Sequence, residues 1–338
     1  MMRKKQVGTV LLFAFILGAA VLACGNAMAE TQELNFGIIS TDSTQNLKKG
    51  WEPFLADMSK ALGMKVNGFF APDYAGVIEA MRFNKVQIAW FGNKSAMEAV
   101  DRAGGEVFAQ SVDVEGNPGY WSLLIVHKDS EIKSLDDIIK NPRKYDFGNG
   151  DPNSTSGFLV PSYYVFAKNN IDPKTHFKTV RSANHETNFM AVVNKQVDVA
   201  TNNTEELAQI QKNAPDKAAQ IRIIWKSPLI AADPLVWRKD MPDELKQKIK
   251  SFILGYGRTG PGAERERKVL AGMVGGWAPF KESSDEQLIP IRQLSLFKDK
   301  TKLQADENMD QKEKAQKIAD IDAKLAELQK HLVATGQQ

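Results

Sequence analysis

The chain has one cysteine, Cys24, and only four histidines, His127, His176, His185 and His331. With a single thiol no internal disulfide can form, so stability must come from the core. None of the histidines stands in an H-E-x-x-H or other clustered metal spacing, since His185-Glu186 runs on into Thr187-Asn188-Phe189. No G-x-S-x-G, P-loop or dinucleotide fingerprint occurs either, so no metal, no cofactor and no catalytic residues are expected. Lysine and arginine form no run with interleaved aromatics, which argues against a nucleic-acid-binding stripe. After Leu22 no apolar stretch reaches the length of a membrane span.

The N-terminus carries what the rest lacks. Arg3-Lys4-Lys5 precede an apolar run, Val7 to Leu22, that ends in Ala27-Met28-Ala29. A basic start, an apolar middle and an A-x-A site make a secretory signal peptide, with cleavage expected before Glu30 and the mature protein outside the cytoplasm. Val21-Leu22-Ala23-Cys24 also has the form of a lipoprotein box, so a lipid anchor at Cys24 is the alternative to soluble export. The formal net charge of the chain is +3, and residues 1–29 contain Arg3, Lys4, Lys5 and no acid, so the mature chain is neutral. Its basicity belongs to the signal.

The 338 residues suffice for two domains. Leu34 to Ile39 reads as a strand, and Trp51, Phe54, Leu55, Met58 and Leu62 recur at helical spacing before Gly63. Strands at 65–70 and 86–91 alternate with helices, which means βαβ units and an α/β fold. Ala80 to Ala89 is echoed by Met190 to Ala200, each copy running helix, Asn-Lys turn and apolar strand, which suggests two similar lobes. Tyr120 to His127 carries the chain from one lobe to the other; Ile221 to Trp225 and Leu235 to Trp237 carry it back. The expected division is a signal peptide (1–29), lobe 1 (30–122), lobe 2 (123–232), a return to lobe 1 (233–300) and a C-terminal helical tail (301–338). In that tail Ile318, Ile321, Leu325, Leu328 and Leu332 form an a/d seam, suited to packing on its own lobe or to a homodimer contact. Two lobes joined by paired crossings leave a cleft between strand ends, where ligands settle.

The stretch from Asp146 to Gly157 reads as a strand end, a Gly/Asp/Pro turn and three hydroxyl residues, Ser154, Thr155 and Ser156, opening a helix with Pro161 near its first turn. One hydroxyl suffices as a cap; three add donors at a helix start that already favours an anion. An ordinary turn and cap is the alternative. His185 opens the helix of the repeated unit, where it either plays a structural part or donates to the same anion. Glu205 and Asp233 follow strands, each beside a turn, and are either solvated caps or cleft acids. In a cleft with an oxyanion loop they would repel the anion, unless they pair with a cation elsewhere on the ligand. Such a ligand is a zwitterion with a phosphonate or phosphate at one end and an amine at the other. Tyr74 and Tyr120 supply hydroxyls and a flat wall, or pack in the core.

With these residues assembled, the chain resembles the phosphonate-binding proteins of bacterial ABC importers, part of the class of two-lobed periplasmic solute-binding proteins. The resemblance spans the mature chain and is carried by Ala71-Pro72-Asp73-Tyr74-Ala75-Gly76, by Gly148 to Gly157, by His185-Glu186-Thr187-Asn188, by Thr201-Asn202-Asn203-Thr204-Glu205 and by Asp233-Pro234. It implies two mostly parallel sheets flanked by helices, two hinge crossings and no catalysis. It implies that Ser154, Thr155, Ser156 and His185 hold the phosphonate oxygens, that Tyr74 and Tyr120 line the cleft, and that Glu205 and Asp233 receive the amine of 2-aminoethylphosphonate. The implied partner is an inner-membrane permease with its cytoplasmic ATPase. Rival readings are another oxyanion such as phosphate or phosphite, a sensor module, and an enzyme built on the same architecture.

Overall fold

The computed structural model describes residues 33–335, and the expected signal peptide with Cys24 lies outside them. Thirteen strands among the described residues are β1 (Leu34–Ile38), β2 (Val66–Phe70), β3 (Ile88–Trp90), β4 (Gly105–Asp113), β5 (Gly119–Tyr120), β6 (Ser122–His127), β7 (Asp146–Asn149), β8 (Thr179–Ser182), β9 (Val199–Asn203), β10 (Ile221–Lys226), β11 (Ile230–Ala231), β12 (Pro234–Arg238) and β13 (Trp277–Glu282). They form a six-stranded sheet in the order β13-β4-β12-β3-β1-β2 and a five-stranded sheet in the order β10-β6-β9-β7-β8. The two-lobed α/β architecture is therefore as expected, and so is the C-terminal helix.

The sheets are mixed rather than mostly parallel. β1 pairs parallel with β2 and β3, and β7 with β8 and β9, because helices cross over between them. Every strand on the crossing paths joins antiparallel: β12 against β3 and β4, β13 against β4, β6 against β9 and β10. β4 and β13 are strands the hydrophobic pattern did not announce. β13 contains Pro279 and shifts register between Ala278 and Lys281, which an edge strand tolerates.

Between the sheets, β5 and β11 make a short antiparallel ladder that ties the outgoing and returning chains together. A Cβ on Gly119 would stand 1.8 Å from the Ile230 carbonyl oxygen, so only glycine lets the two crossings approach this closely. Ser122 and Ser227 close the junction, with Ser122 N–H donating to Ser227 Oγ at 2.9 Å and Ser227 N–H to the Ser122 carbonyl at 2.9 Å.

Each lobe buries its own core. In the first, helix Thr44–Leu62 is capped by Ser43 and buries Leu47, Trp51, Phe54, Leu55 and Met58 at helical spacing. Trp51, Trp90 and Trp277 meet there with ring centroids 5.4–5.6 Å apart. In the second, Phe147 stacks on Phe177 at 4.5 Å on one face of the sheet, while Phe189 and Val192 cover the other. The terminal helix Gln311–Thr335 lies along helix Ile289–Ala305, linked by Lys300–Asp322 and by Gln293 Nε2–Gln329 Oε1 at 3.3 Å. Its a/d seam is half-buried.

The echo between the lobes goes deeper than the Asn-Lys turn. One constant separation relates Asn35 to Asp146, and the helix starts at Ser43, Asp73 and Gly92 to those at Ser154, Asn184 and Asn203. Asn35 N–H donates to Gln87 Oε1 at 2.9 Å, and Asp146 N–H to Asp198 Oδ2 at 2.8 Å, the same bond in each lobe. Structural register corrects the sequence alignment by one residue: Asn84 (φ 55°) is matched by Lys195 (φ 54°), not Asn194. What repeats is a left-handed turn before a strand, which the backbone needs, rather than the residue that supplies it.

Candidate functional site

Five of the six repeated helix starts, at Asp73, Gly92, Ser154, Asn184 and Asn203, have their cap or a first-turn residue on one small cavity of about 10 Å³ between the sheets, and Thr41, two residues before Ser43, lines it as well. Its walls contain all eight residues singled out from the sequence: Tyr74, Tyr120, Ser154, Thr155, Ser156, His185, Glu205 and Asp233.

The hydroxyl wall begins where β7 ends. Gly150 N–H donates to the Gly157 carbonyl at 3.0 Å, and a Cβ on Gly150 would come within 2.4 Å of the Gly157 carbonyl carbon. Glycine here pulls the loop tight and turns three hydroxyls inward. The helix that follows is wider than an α-helix, since Leu159 N–H reaches back to the Ser154 carbonyl at 3.1 Å, five residues earlier. Pro161 falls between this wide turn and the next (Ser162–Phe166) instead of inside the first turn.

Each hydroxyl oxygen already accepts a bond from the protein. Ser154 Oγ accepts from Gly157 N–H at 2.9 Å, Thr155 Oγ1 from Lys94 N–H at 2.8 Å, and Ser156 Oγ from Asn203 Nδ2 at 3.3 Å. A hydroxyl whose lone pair is engaged still has its O–H to give. Three such donors side by side at a helix start suit an anion. Thr155 also bridges the lobes, because Lys94 belongs to the first-lobe helix Asn93–Arg102.

His185 opens helix His185–Val193, capped by Asn184. Its N–H donates to the Thr41 carbonyl at 3.2 Å, and its own carbonyl accepts from Asn202 Nδ2 at 3.0 Å. Burial drives its pKa down to about 4, so the ring is neutral at physiological pH and carries a single N–H. Its Nδ1 has no hydrogen-bond partner within the protein. A bound anion would oppose the effect of burial.

The opposite wall is acidic. Tyr120 Oη donates to Asp233 Oδ1 at 2.9 Å, and both residues are buried. Burial pushes Asp233 up to about 7 although the Tyr120 bond opposes it. Glu205 is half-buried as a residue, yet its carboxyl is enclosed; burial and then the Asp233 charge hold it well above the usual carboxylate range. Burial and the Asp233 charge likewise raise Tyr74 and Tyr120 far above 10, so both phenols stay protonated. No lysine or arginine among the described residues forms an ion pair with Glu205 or Asp233. Two clustered acids without a cation are costly unless a ligand brings the charge.

The sequence reading missed Thr41 and Glu206. Both line the cavity and are buried, and Thr41 Oγ1 and Glu206 Oε2 lack partners within the protein. Thr41 had a readable signal: its loop, Ser40 to Ser43, occupies in the first lobe the place that Asp151 to Ser154 occupies in the second. Glu206 had none, because adjacent residues on a helix start diverge and Glu205 already filled the expected role.

Two α/β lobes joined by paired crossings around a small polar cavity are the architecture of a two-lobed solute-binding protein. The comparisons specify which. Residues 36–288 match the family described as periplasmic substrate-binding proteins of phosphonate ABC transporters, and the chain belongs to it. It is 54% identical over 327 residues to the phosphonates-binding periplasmic protein of Escherichia coli K12, covering 97% of this chain and 95% of the relative. The crystal structure of the binding protein of an ABC phosphonate transporter from Pseudomonas aeruginosa superposes with a TM-score of 0.87 at 55% identity, covering 91% of this chain and all of that one. A phosphate-import protein of Mycolicibacterium smegmatis is 27% identical, over 66% of this chain and 71% of its own length. The protein is thus the periplasmic phosphonate-binding component of an ABC importer, a carrier and not an enzyme. No helix among the described residues is long and apolar enough to cross a membrane.

Proposed function

We propose that the cavity selects 2-aminoethylphosphonate among phosphonates. Ser154, Thr155, Ser156 and His185 donate to the phosphonate oxygens, Glu205 and Asp233 receive the ammonium group, and Tyr74 and Tyr120 line the space between. The observation that carries this is polarity: three hydroxyls with hydrogens to give on one wall, and two uncompensated carboxyls on the other, around one small cavity. Phosphate would satisfy the first wall and leave the second desolvated and unpaired, which disfavours it. The wide Thr155 turn and the Thr41–His185 bond join the lobes, so the full contact set exists only when they are together. Closure then presents one shape to the permease and its ATPase.

Calorimetric titration with 2-aminoethylphosphonate, ethylphosphonate and inorganic phosphate, repeated on Glu205→Gln, tests the reading. Binding of the amine-bearing ligand at least about tenfold tighter, lost in the variant, supports it; a tenfold ratio corresponds to about 1.4 kcal/mol. Preference for phosphate, or indifference to Glu205, overturns the amine assignment. The reading includes export through the 1–29 signal and a terminal helix Gln311–Thr335 that packs on its own lobe; a dimer in sedimentation of the full chain would instead assign it a contact between copies.

A further inference from the structure

Beside the ligand cavity the lobes bring acids together with no cation between them. Asp42, buried, precedes the first-lobe helix Thr44–Leu62, while Glu186 stands in the first turn of the second-lobe helix His185–Val193. The two carboxyls converge on the same donors. Ser43 N–H donates to Glu186 Oε2 at 2.9 Å and to Asp42 Oδ1 at 2.5 Å. Asn46 Nδ2 donates to Asp42 Oδ1 at 3.0 Å and to Glu186 Oε1 at 3.4 Å. Glu206, on helix Thr204–Asn213, is 2% exposed, its Oε2 has no partner, and it adds a third acid behind them. Lys49, Lys212 and Lys217 line the outer part of the same crevice but are exposed. Among the described residues none of them forms an ion pair with Asp42, Glu186 or Glu206. His185, next in sequence to Glu186, is neutral and adds no compensating charge.

Two carboxylates sharing donors at this range cannot both be ionised without strong repulsion, and one proton between them turns the repulsion into a hydrogen bond. We propose that Asp42 and Glu186 form a proton-sharing latch across the cleft, so that bringing the lobes together takes up one proton at Glu186. The latch rests on the reading of the cavity as an interlobe ligand site, and makes ligand capture sensitive to periplasmic pH.

The sign follows from the Glu186 carboxyl. In the joined lobes the hydrogen bond with Asp42, then burial, hold it at about 7, against 4.5 for an ordinary glutamate. Separated lobes expose it, and it ionises in the ordinary range. Joining is therefore unpenalised below 4.5, increasingly penalised between 4.5 and 7, and fully penalised above. Linkage between those values predicts that the latch by itself raises the dissociation constant about tenfold from pH 6 to pH 8, read as wild type relative to a protein without the Glu186 carboxyl.

The test compares wild type with Glu186→Gln, and with Asp42→Asn as the second variant should the first not fold. Each is titrated with 2-aminoethylphosphonate at pH 6 and pH 8; taking the ratio between proteins cancels the ligand's own ionisation. Wild type should lose about tenfold relative to the variant over this interval, while equal pH courses overturn the latch. Small-angle scattering of the ligand-free proteins reads closure without any ligand. A wild type that becomes more compact at pH 5 than at pH 8, beside a Glu186→Gln protein that does not change, supports the latch; identical courses refute it. If no protein binds the phosphonate, the functional reading fails and the scattering arm decides the latch alone.

Discussion

Lys94 N–H in the first lobe donates to Thr155 Oγ1 in the second at 2.8 Å. One hydroxyl thereby accepts a bond that joins the lobes and still has its hydrogen to give; under the proposed reading that hydrogen goes to the ligand and ties closure to capture. Thr155→Val keeps the shape and removes both functions. It should weaken 2-aminoethylphosphonate by about 1.5–3 kcal/mol, the range for a hydrogen bond to a charged group, whereas Thr155→Ser should recover most of it. Calorimetry on the pair checks this, and a harmless valine would show that the oxyanion sits elsewhere.

Tyr120→Phe removes the phenol that donates to Asp233 at 2.9 Å and leaves the ring in place. The carboxylate loses a stabilising donor, so the amine-bearing ligand should bind about tenfold more weakly. Ethylphosphonate should change by less than about threefold, since its contacts lie on the hydroxyl wall. Equal losses for both ligands would mean that Tyr120 supports the whole cavity and not the acid end.

Asp233 sets a pH dependence of opposite sign to the latch. Burial holds its carboxyl at about 7 in the protein alone, and an ammonium partner favours the ionised form. At pH 6 the group must release a proton to make the pair; at pH 8 it is already ionised. The advantage of wild type over Asp233→Asn for 2-aminoethylphosphonate should therefore grow about tenfold between pH 6 and 8. Glu186 is present in both proteins, so its contribution cancels. A constant advantage would show that Asp233 does not meet the amine.

Gly150→Ala tests the tight loop. The new Cβ would lie 2.4 Å from the Gly157 carbonyl carbon, a distance that forces the backbone apart. The three hydroxyls should then lose their common aim, and affinity should fall by at least about tenfold, while far-UV circular dichroism stays that of wild type. Unchanged affinity would mean that the loop has slack.

Much of this was legible along the chain. Period and turn chemistry placed β1, β2, β3, β6, β9 and the helices between them within a few residues, because each buries one face and ends at a cap or glycine. Ser154, Thr155, Ser156, His185, Glu205 and Asp233 were visible because each stands just past a strand or opens a helix, where βα units present their ligands. β4 and β13 escaped because their pairing partners lie far off in sequence. The Asn-Lys echo misled by one residue because a left-handed turn can be supplied by Asn84 or by Lys195.

The order of elements, the α/β class and the chemistry at each strand end were determined by the sequence itself, since caps, glycines and hydrophobic period act over a few residues. Only the tertiary structure decided which lone pairs were spent. That Thr155 answers Lys94, that Glu206 is buried without a partner, and that Asp42 meets Glu186 across the cleft are contacts between distant segments. Their energies depend on burial and on distance to other charges, and both quantities exist only once the lobes have come together.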